Sequence, residues 1–198
     1  LDLQAERGLS VFDARHKFSA YYTYEFPFGQ RRRYLNQGSV LSRILGDWQI
    51  SGNAQLQSGT PLTARVLGNQ SNNSGVGAYG SQRADVTGEP VSLPDSQQST
   101  LRFFNTGAFA LPAPGQFGNA GRNTIPGPGL VNFNMSLGRF ITISQERGLR
   151  ADFRVEANNL FNTPNFSGVA TVVNATDFGR VTSVKDMRTL DFVIRLRF

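Results

Sequence analysis

The chain of 198 residues contains no cysteine, which excludes disulfides, zinc–thiolate sites and thiol nucleophiles together. Long apolar runs are missing too: nothing reaches the roughly 18 residues that a membrane-crossing helix needs. A barrel wall survives that exclusion, because only alternate residues of its strands must be greasy. Histidine occurs once, at His16. Transition-metal ligation would therefore rest on carboxylates, and His16, with Asp13 nearby, is read as an ordinary strand-end residue. A Ser-His-Asp relay would need His16 as its base, and no serine sits in a G-x-S-x-G elbow. The chain is expected to be no enzyme, with no catalytic, metal-binding or cofactor-binding residues and no cofactor. Lysine is limited to Lys17 and Lys185, so the net charge of +6 comes from arginines. These are dispersed except at Arg31-Arg32-Arg33, and stacking aromatics beyond Tyr34 are missing around that triplet. Nucleic acid is not an expected partner, and the triplet reads as a solvated turn touching anionic headgroups. Hydrophobic content is low at 39%, whereas Gly (21) and Phe (16) are plentiful, a poor fit to a compact soluble domain. The first residue is Leu1 and no charged-then-apolar leader follows. The chain is expected to be the C-terminal piece of something longer.

What the sequence does contain is alternation. Successive side chains of a strand point to opposite faces, and five segments, at about 17–28, 47–66, 131–141, 149–161 and 187–198, repeat a greasy face against a polar one. In the first, Phe18, Ala20, Tyr22, Tyr24 and Phe26 oppose Lys17, Ser19, Tyr21, Thr23 and Glu25. In the second, Trp48, Ile50, Gly52, Ala54 and Leu56 oppose Gln49, Ser51, Asn53, Gln55 and Gln57. Val131, Phe133, Met135 and Leu137 oppose Asn132, Asn134, Ser136 and Gly138 in the third. The fourth sets Leu149, Ala151, Phe153, Val155 and Ala157 against Arg150, Asp152, Arg154, Glu156 and Asn158. The last sets Leu190, Phe192, Ile194, Leu196 and Phe198 against Asp191, Arg195 and Arg197. About 9–12 residues per segment is the length of a tilted strand crossing the hydrocarbon layer. Period-2 alternation contradicts a helical stripe, and only Ser39 to Leu45 suggests a short helical turn.

The connectors are unequal. Ser144 to Gly148 is a tight hairpin turn and Gly29 to Gly46 is medium and basic. Leu67 to Leu130 and Thr163 to Arg188 are long, the former rich in Gly, Ser, Asn and Pro. Alternating long and short connectors fit an up-and-down outer-membrane barrel with short periplasmic turns and long extracellular loops. With Phe198 on the periplasmic side, both long loops fall outside. Inverting the fourth strand would put Arg150, Asp152, Arg154 and Glu156 into lipid at about 2–4 kcal/mol per arginine. The polar face must therefore line a wet or plugged lumen, where opposite charges on neighbouring strands, for example Glu156 and Arg195, pair. Five strands leave open edges that cost several kcal/mol per unpaired backbone group in lipid, so more strands are expected upstream.

Specific stretches carry a family resemblance. Phe12-Asp13-Ala14-Arg15-His16-Lys17-Phe18 with Glu25-Phe26-Pro27-Phe28-Gly29 resembles late barrel strands of TonB-dependent transporters of the Oar-like type. So do Gly46-Asp47-Trp48-Gln49-Ile50-Ser51-Gly52 and Gln57-Ser58-Gly59-Thr60-Pro61. Phe104-Asn105-Thr106-Gly107-Ala108-Phe109 and Phe117-Gly118-Asn119-Ala120-Gly121-Arg122-Asn123 are similar to the family's long-loop signature. Arg154 to Asn162, followed by Pro164-Asn165-Phe166, is similar to its penultimate strand and exit. The resemblance implies an all-β, antiparallel barrel of roughly 22 strands, of which these are the last five. It further implies an N-terminal plug and a TonB-contacting segment outside this chain, and energised uptake of a scarce nutrient (a ferric chelate, a cobalamin-like molecule or an oligosaccharide). Phe192, Ile194, Leu196 and Phe198 resemble the C-terminal signal read by the barrel assembly machinery. Outer-membrane lipid is the remaining partner implied.

Other features stay open. Gly75-Val76-Gly77-Ala78-Tyr79-Gly80 matches the dinucleotide glycine pattern but lacks the flanking strand and helix that mechanism needs, so it reads as loop. Trp48, Tyr22, Tyr24 and Phe26 are either interface-belt aromatics or plain sheet core. Gln49, Asn53, Gln55, Gln57, Arg150, Asp152, Arg154, Glu156 and Arg195 are the lumen-facing candidates. Phe103, Phe104, Phe109, Phe117 and Arg122 either form an external ligand cap or pack their loop against itself. Two rival readings remain: a soluble secreted β-sandwich binding glycan or protein, and a TonB-independent porin or adhesin-like barrel.

Overall fold

The structure is a computed structural model and describes residues 7–29, 32–36, 40–68, 82–144 and 146–198. In chain order its elements are β1 (Lys17–Glu25), α1 (Val40–Leu45), β2 (Trp48–Gln57), β3 (Arg65–Val66), β4 (Gln82–Arg83), β5 (Asp85–Val86), β6 (Phe109–Ala110), β7 (Leu130–Ser144), β8 (Leu149–Asn158), β9 (Phe166–Val169), β10 (Val181–Val184) and β11 (Thr189–Arg197). The glycine pattern at 75–80, Arg31, Ser39 and Gln145 lie outside the described residues. The chain divides into two compact units.

One unit comprises Lys17–Leu56, Val131–Pro164 and Asp186–Phe198. Its centre is a five-stranded sheet in the order β1-β2-β7-β8-β11. The alternating segments therefore all become strands, with different ends. The segment expected over 17–28 stops at Glu25, just before Pro27, which has no N–H for the ladder. The one expected over 47–66 ends at Gln57. Beyond it, a side chain on Gly59 would collide with the carbonyl of Gly127, so only glycine permits that close approach. The third strand runs longer than 131–141, from Leu130 to Ser144. The fourth ends at Asn158 rather than 161, because Asn159 turns to a positive φ of 49°. The last occupies Thr189–Arg197. The helical turn forms as α1.

The ladders are antiparallel. Phe26 N–H donates to the Trp48 carbonyl (2.9 Å) while Ser58 N–H donates to that of His16 (2.9 Å), which fixes the sense of β1 against β2. Across β8–β11, Ile194 opposes Phe153, Leu196 opposes Ala151 and Phe192 opposes Val155. Across β7–β8, Leu137 opposes Val155 and Met135 opposes Ala157. Apolar residues thus meet apolar residues, and a one-residue slip would exchange the faces entirely. The suggested pairing of Glu156 with Arg195 does not occur. The register sets Arg195 opposite Asp152, and Glu156 opposite Asp191.

The other unit comprises Leu1–His16, Gln57–Leu130 and Asn165–Lys185, so the long connectors are not structureless. Three two-stranded pairs, β3–β4, β5–β6 and β9–β10, organise it. Ala64, Val66, Ala84, Phe104, Ala108, Phe109, Ala120 and Ile125 form its core. Phe104, Phe109 and Phe178 meet edge to face with centroids 5.3–6.4 Å apart, the favoured aromatic geometry. Burying a phenylalanine such as Phe104 contributes about 1.5–3 kcal/mol.

Candidate functional site

The sheet leaves large apolar side chains open on one face. On its apolar face Ile194 is 67% and Leu196 58% exposed. Phe192, Phe198, Phe18, Tyr22 and Tyr24 are exposed as well, and Phe133 is half-buried against Phe161 (5.2 Å between centroids). On the polar face Asp152 is only 5% exposed. A soluble sheet would hide the first set. Small residues complete the greasy face. Tyr22 lies over Gly52, where any side chain would collide with its ring and hydroxyl.

The polar face contains a groove of about 270 Å³ lined by Gln49, Ser51, Ser136, Gly138, Phe140, Asp152, Arg154 and Glu156. Alternation on β8 aims Asp152, Arg154 and Glu156 into it. The Arg154 guanidinium straddles the two carboxylates, 3.4 Å from Asp152 Oδ2 and 3.3 Å from Glu156 Oε1. Asp152 Oδ1 is buried without a hydrogen-bond partner among the described residues. Asn53 belongs to a neighbouring amide ladder: Asn134 Nδ2 donates to Asn53 Oδ1 (3.2 Å) and Asn159 N–H donates to Asn134 Oδ1 (3.0 Å). Gln55 and Gln57 continue along β2 on the same face. Arg150 and Arg195 share the face but not the groove, and Arg150 stands opposite another cation, Arg197. Such an arrangement of charges and amides can hold polar matter by hydrogen bonds and ion pairs.

The aromatic rows gather at one end of the sheet. Tyr24 meets Phe26 edge to face (5.5 Å), Phe26 stacks on Phe28 (6.5 Å) and Phe28 touches Tyr34 (6.0 Å). Trp48 donates its indole N–H to the Ile44 carbonyl (3.0 Å). Arg139, in the greasy row of β7, was not singled out from sequence. It donates to the carbonyls of Ile44 (2.8 Å) and Arg43, and its guanidinium lies 5.9 Å from the Trp48 ring centroid. Phe140, in the polar row, was missed too. Extending the period by one turn of alternation past Gly138 exposes both, as a reversal of phase at 139–140.

The loop candidates separate. Phe104 is 1% exposed and Phe109 buried, so neither presents a face to a ligand; they are core. Phe103 is half-buried and packs edge to face on Phe166 (6.4 Å). Phe117 is 65% exposed. Arg122 is exposed and flanks Gly8, where a side chain would strike its carbonyl. His16 serves through its backbone, which accepts from Ser58 N–H at the end of the β1–β2 ladder. Of the arginine triplet, Arg32 pairs with Glu25 (2.7 Å) and Arg33 lies over the Tyr34 ring (5.5 Å). No group of His, Asp and Glu among the described residues could hold a metal ion.

No curated protein and no solved structure matches the chain. A family model described as an outer membrane beta barrel domain matches residues 1–191. With its greasy face exposed and its charges turned to the other side, the chain belongs to the outer membrane β-barrel domain family.

Proposed function

We propose that this chain forms the last five strands and two external loops of the barrel of a TonB-dependent receptor, one that takes up a scarce nutrient by energised transport. The observation that carries the reading is the pairing of faces: Ile194 and Leu196 stand exposed while Asp152 on the opposite face is buried. Membership of the family supports reading that face as the one turned to the membrane. On the inner side, charge is incompletely compensated. Asp152 Oδ1 lacks a partner among the described residues, and Glu156 faces Asp191 while Arg150 faces Arg197 across β8–β11. Like charges directly opposite destabilise a sheet. A polar plug filling the lumen would supply the missing counter-groups, whereas an empty water-filled pore needs none of them. This observation favours the plugged receptor over the porin-like barrel. The Oar-like order of motifs along the chain supports it as well.

In this reading the short connections and Phe198 face the periplasm, and the loops 58–129 and 159–188 face outward. The transported molecule is a ferric chelate, a cobalamin-like compound or an oligosaccharide. The chain itself performs no catalysis. The test uses the full-length protein in its host. Deleting it and deleting the TonB system should abolish the same growth phenotype on one of these nutrients. Growth that depends on the protein but not on TonB would sink the receptor reading in favour of a passive barrel.

A further inference from the structure

An apolar groove of about 320 Å³ opens on the greasy side of the sheet, lined by Phe26, Phe28, Leu35, Leu45, Trp48 and Leu137. We propose that this groove seats one acyl chain of an anionic membrane phospholipid, with Arg33 receiving the phosphate. The inference rests on the reading of this face as membrane-facing.

Three observations point to that occupant. The groove is continuous with the exposed apolar face, since Phe26, Trp48 and Leu137 belong to the same rows as Tyr24, Ile50 and Met135. Its lining is almost wholly hydrocarbon and aromatic, so a polar peptide or sugar would lose hydration there without replacement hydrogen bonds. The floor is built deliberately. Arg139, buried beneath, donates to the Ile44 and Arg43 carbonyls at the end of α1 and lies against the Trp48 ring. A cation at a helix C-terminus is favourable, so it fixes α1 and with it Leu45 as one wall. The exposed Val40, Leu41 and Ile44 of α1 extend apolar surface beside the opening.

Charge selects the headgroup. Arg32 is committed to Glu25 and Asp47. Arg33 is exposed and rests on Tyr34, whose ring touches the lining residue Phe28. A guanidinium held on an aromatic face keeps its donors available for phosphate oxygens. A phospholipid chain entering beside Phe28 would bring its phosphate within that neighbourhood.

Trp48 is the chain's one tryptophan and lines the groove, so it reports on the occupant. The full-length protein, with any other tryptophan replaced by Phe, is placed in phosphatidylcholine vesicles. A minor fraction of acyl-brominated lipid is added, as phosphatidylglycerol or as phosphatidylcholine. Trp48 fluorescence should show about fivefold higher apparent affinity for the brominated anionic lipid, which corresponds to about 1 kcal/mol. Arg33→Gln should remove that preference while leaving quenching by bulk lipid. A Phe153→Trp variant in a Trp48→Phe background is the control for the membrane face. If Trp48 and the residue-153 probe are both quenched equally by the two lipids, the specific site is overturned and the membrane face stands. If neither probe is quenched by any lipid, the membrane-facing reading itself falls.

Discussion

Arg195 stands directly opposite Asp152 across the β8–β11 ladder, and Asp152 also receives Arg154 from two residues along its own strand. The carboxylate is nearly inaccessible, whereas Arg195 is exposed. Asp152→Ala should therefore destabilise the folded full-length barrel by about 1–2 kcal/mol, the cost of leaving charged donors with a lost acceptor. Arg195→Ala, on the exposed side, should cost under about 1 kcal/mol. Denaturant midpoints in vesicles would check this, and equal losses from the two substitutions would contradict the asymmetry.

Faces can be read chemically. Phe153 and Arg154 are neighbours on β8 that point to opposite sides of the sheet. Single Phe153→Cys and Arg154→Cys substitutions in the full-length protein should differ. The cysteine at 154 should react with charged aqueous maleimide, while that at 153 should resist it and react with a lipid-soluble probe. Equal aqueous labelling at both positions would defeat the membrane-facing assignment of the greasy rows.

The cation in the greasy row holds α1 in place. Arg139→Ala removes donors from the Ile44 and Arg43 carbonyls and the stack on Trp48. The expected cost is about 1–3 kcal/mol, with faster hydrogen exchange confined to residues 40–46. Arg139→Lys keeps the charge but loses the fork, and should recover only part of the protection. Unchanged exchange in both variants would show that α1 is held by other contacts.

Asn105 ties one corner of the loop unit. Its Oδ1 accepts from Arg102 Nη2 (2.9 Å) and Gly107 N–H (3.2 Å), and its Nδ2 donates to Glu89 Oε2 and the Pro90 carbonyl (3.0 Å each). The bond from Gly107 N–H caps the 3-10 segment Thr106–Ala108, which delivers Ala108 and Phe109 to the core. Asn105→Ala should destabilise this unit by about 2–3 kcal/mol. Loss of exchange protection around 104–110, with the β8–β11 ladder unaffected, is the expected signature. A loss spread evenly over both units would count against it.

Phe198 is fully exposed at the end of β11, so its removal should hardly alter packing. If it signals to the assembly machinery, Phe198→Ala should lower the level of full-length protein in the outer membrane several-fold. The stability of protein refolded into detergent should stay unchanged. An equal fall in refolded stability would assign Phe198 to packing instead.

The alternation of Leu190, Phe192, Ile194 and Leu196 against Asp191, Arg195 and Arg197 needs no partner to be read, because side-chain direction along a strand is a local property. Strand identity and the division into two faces were therefore determined by the sequence itself. Pairing was not, since which residue opposes Glu156 depends on how two separated strands slide, and the structure chose Asp191 over Arg195. Nor did period or composition distinguish a ligand cap from a packed loop at Phe104 and Phe109, whose contacts with Phe178 span some 70 positions of chain. Arg139 is a charge in a greasy row, and its partners, the carbonyls of Ile44 and Arg43, lie some 95 positions earlier in the chain. Such long-range contacts come from folding the whole chain, and only the tertiary structure supplies them.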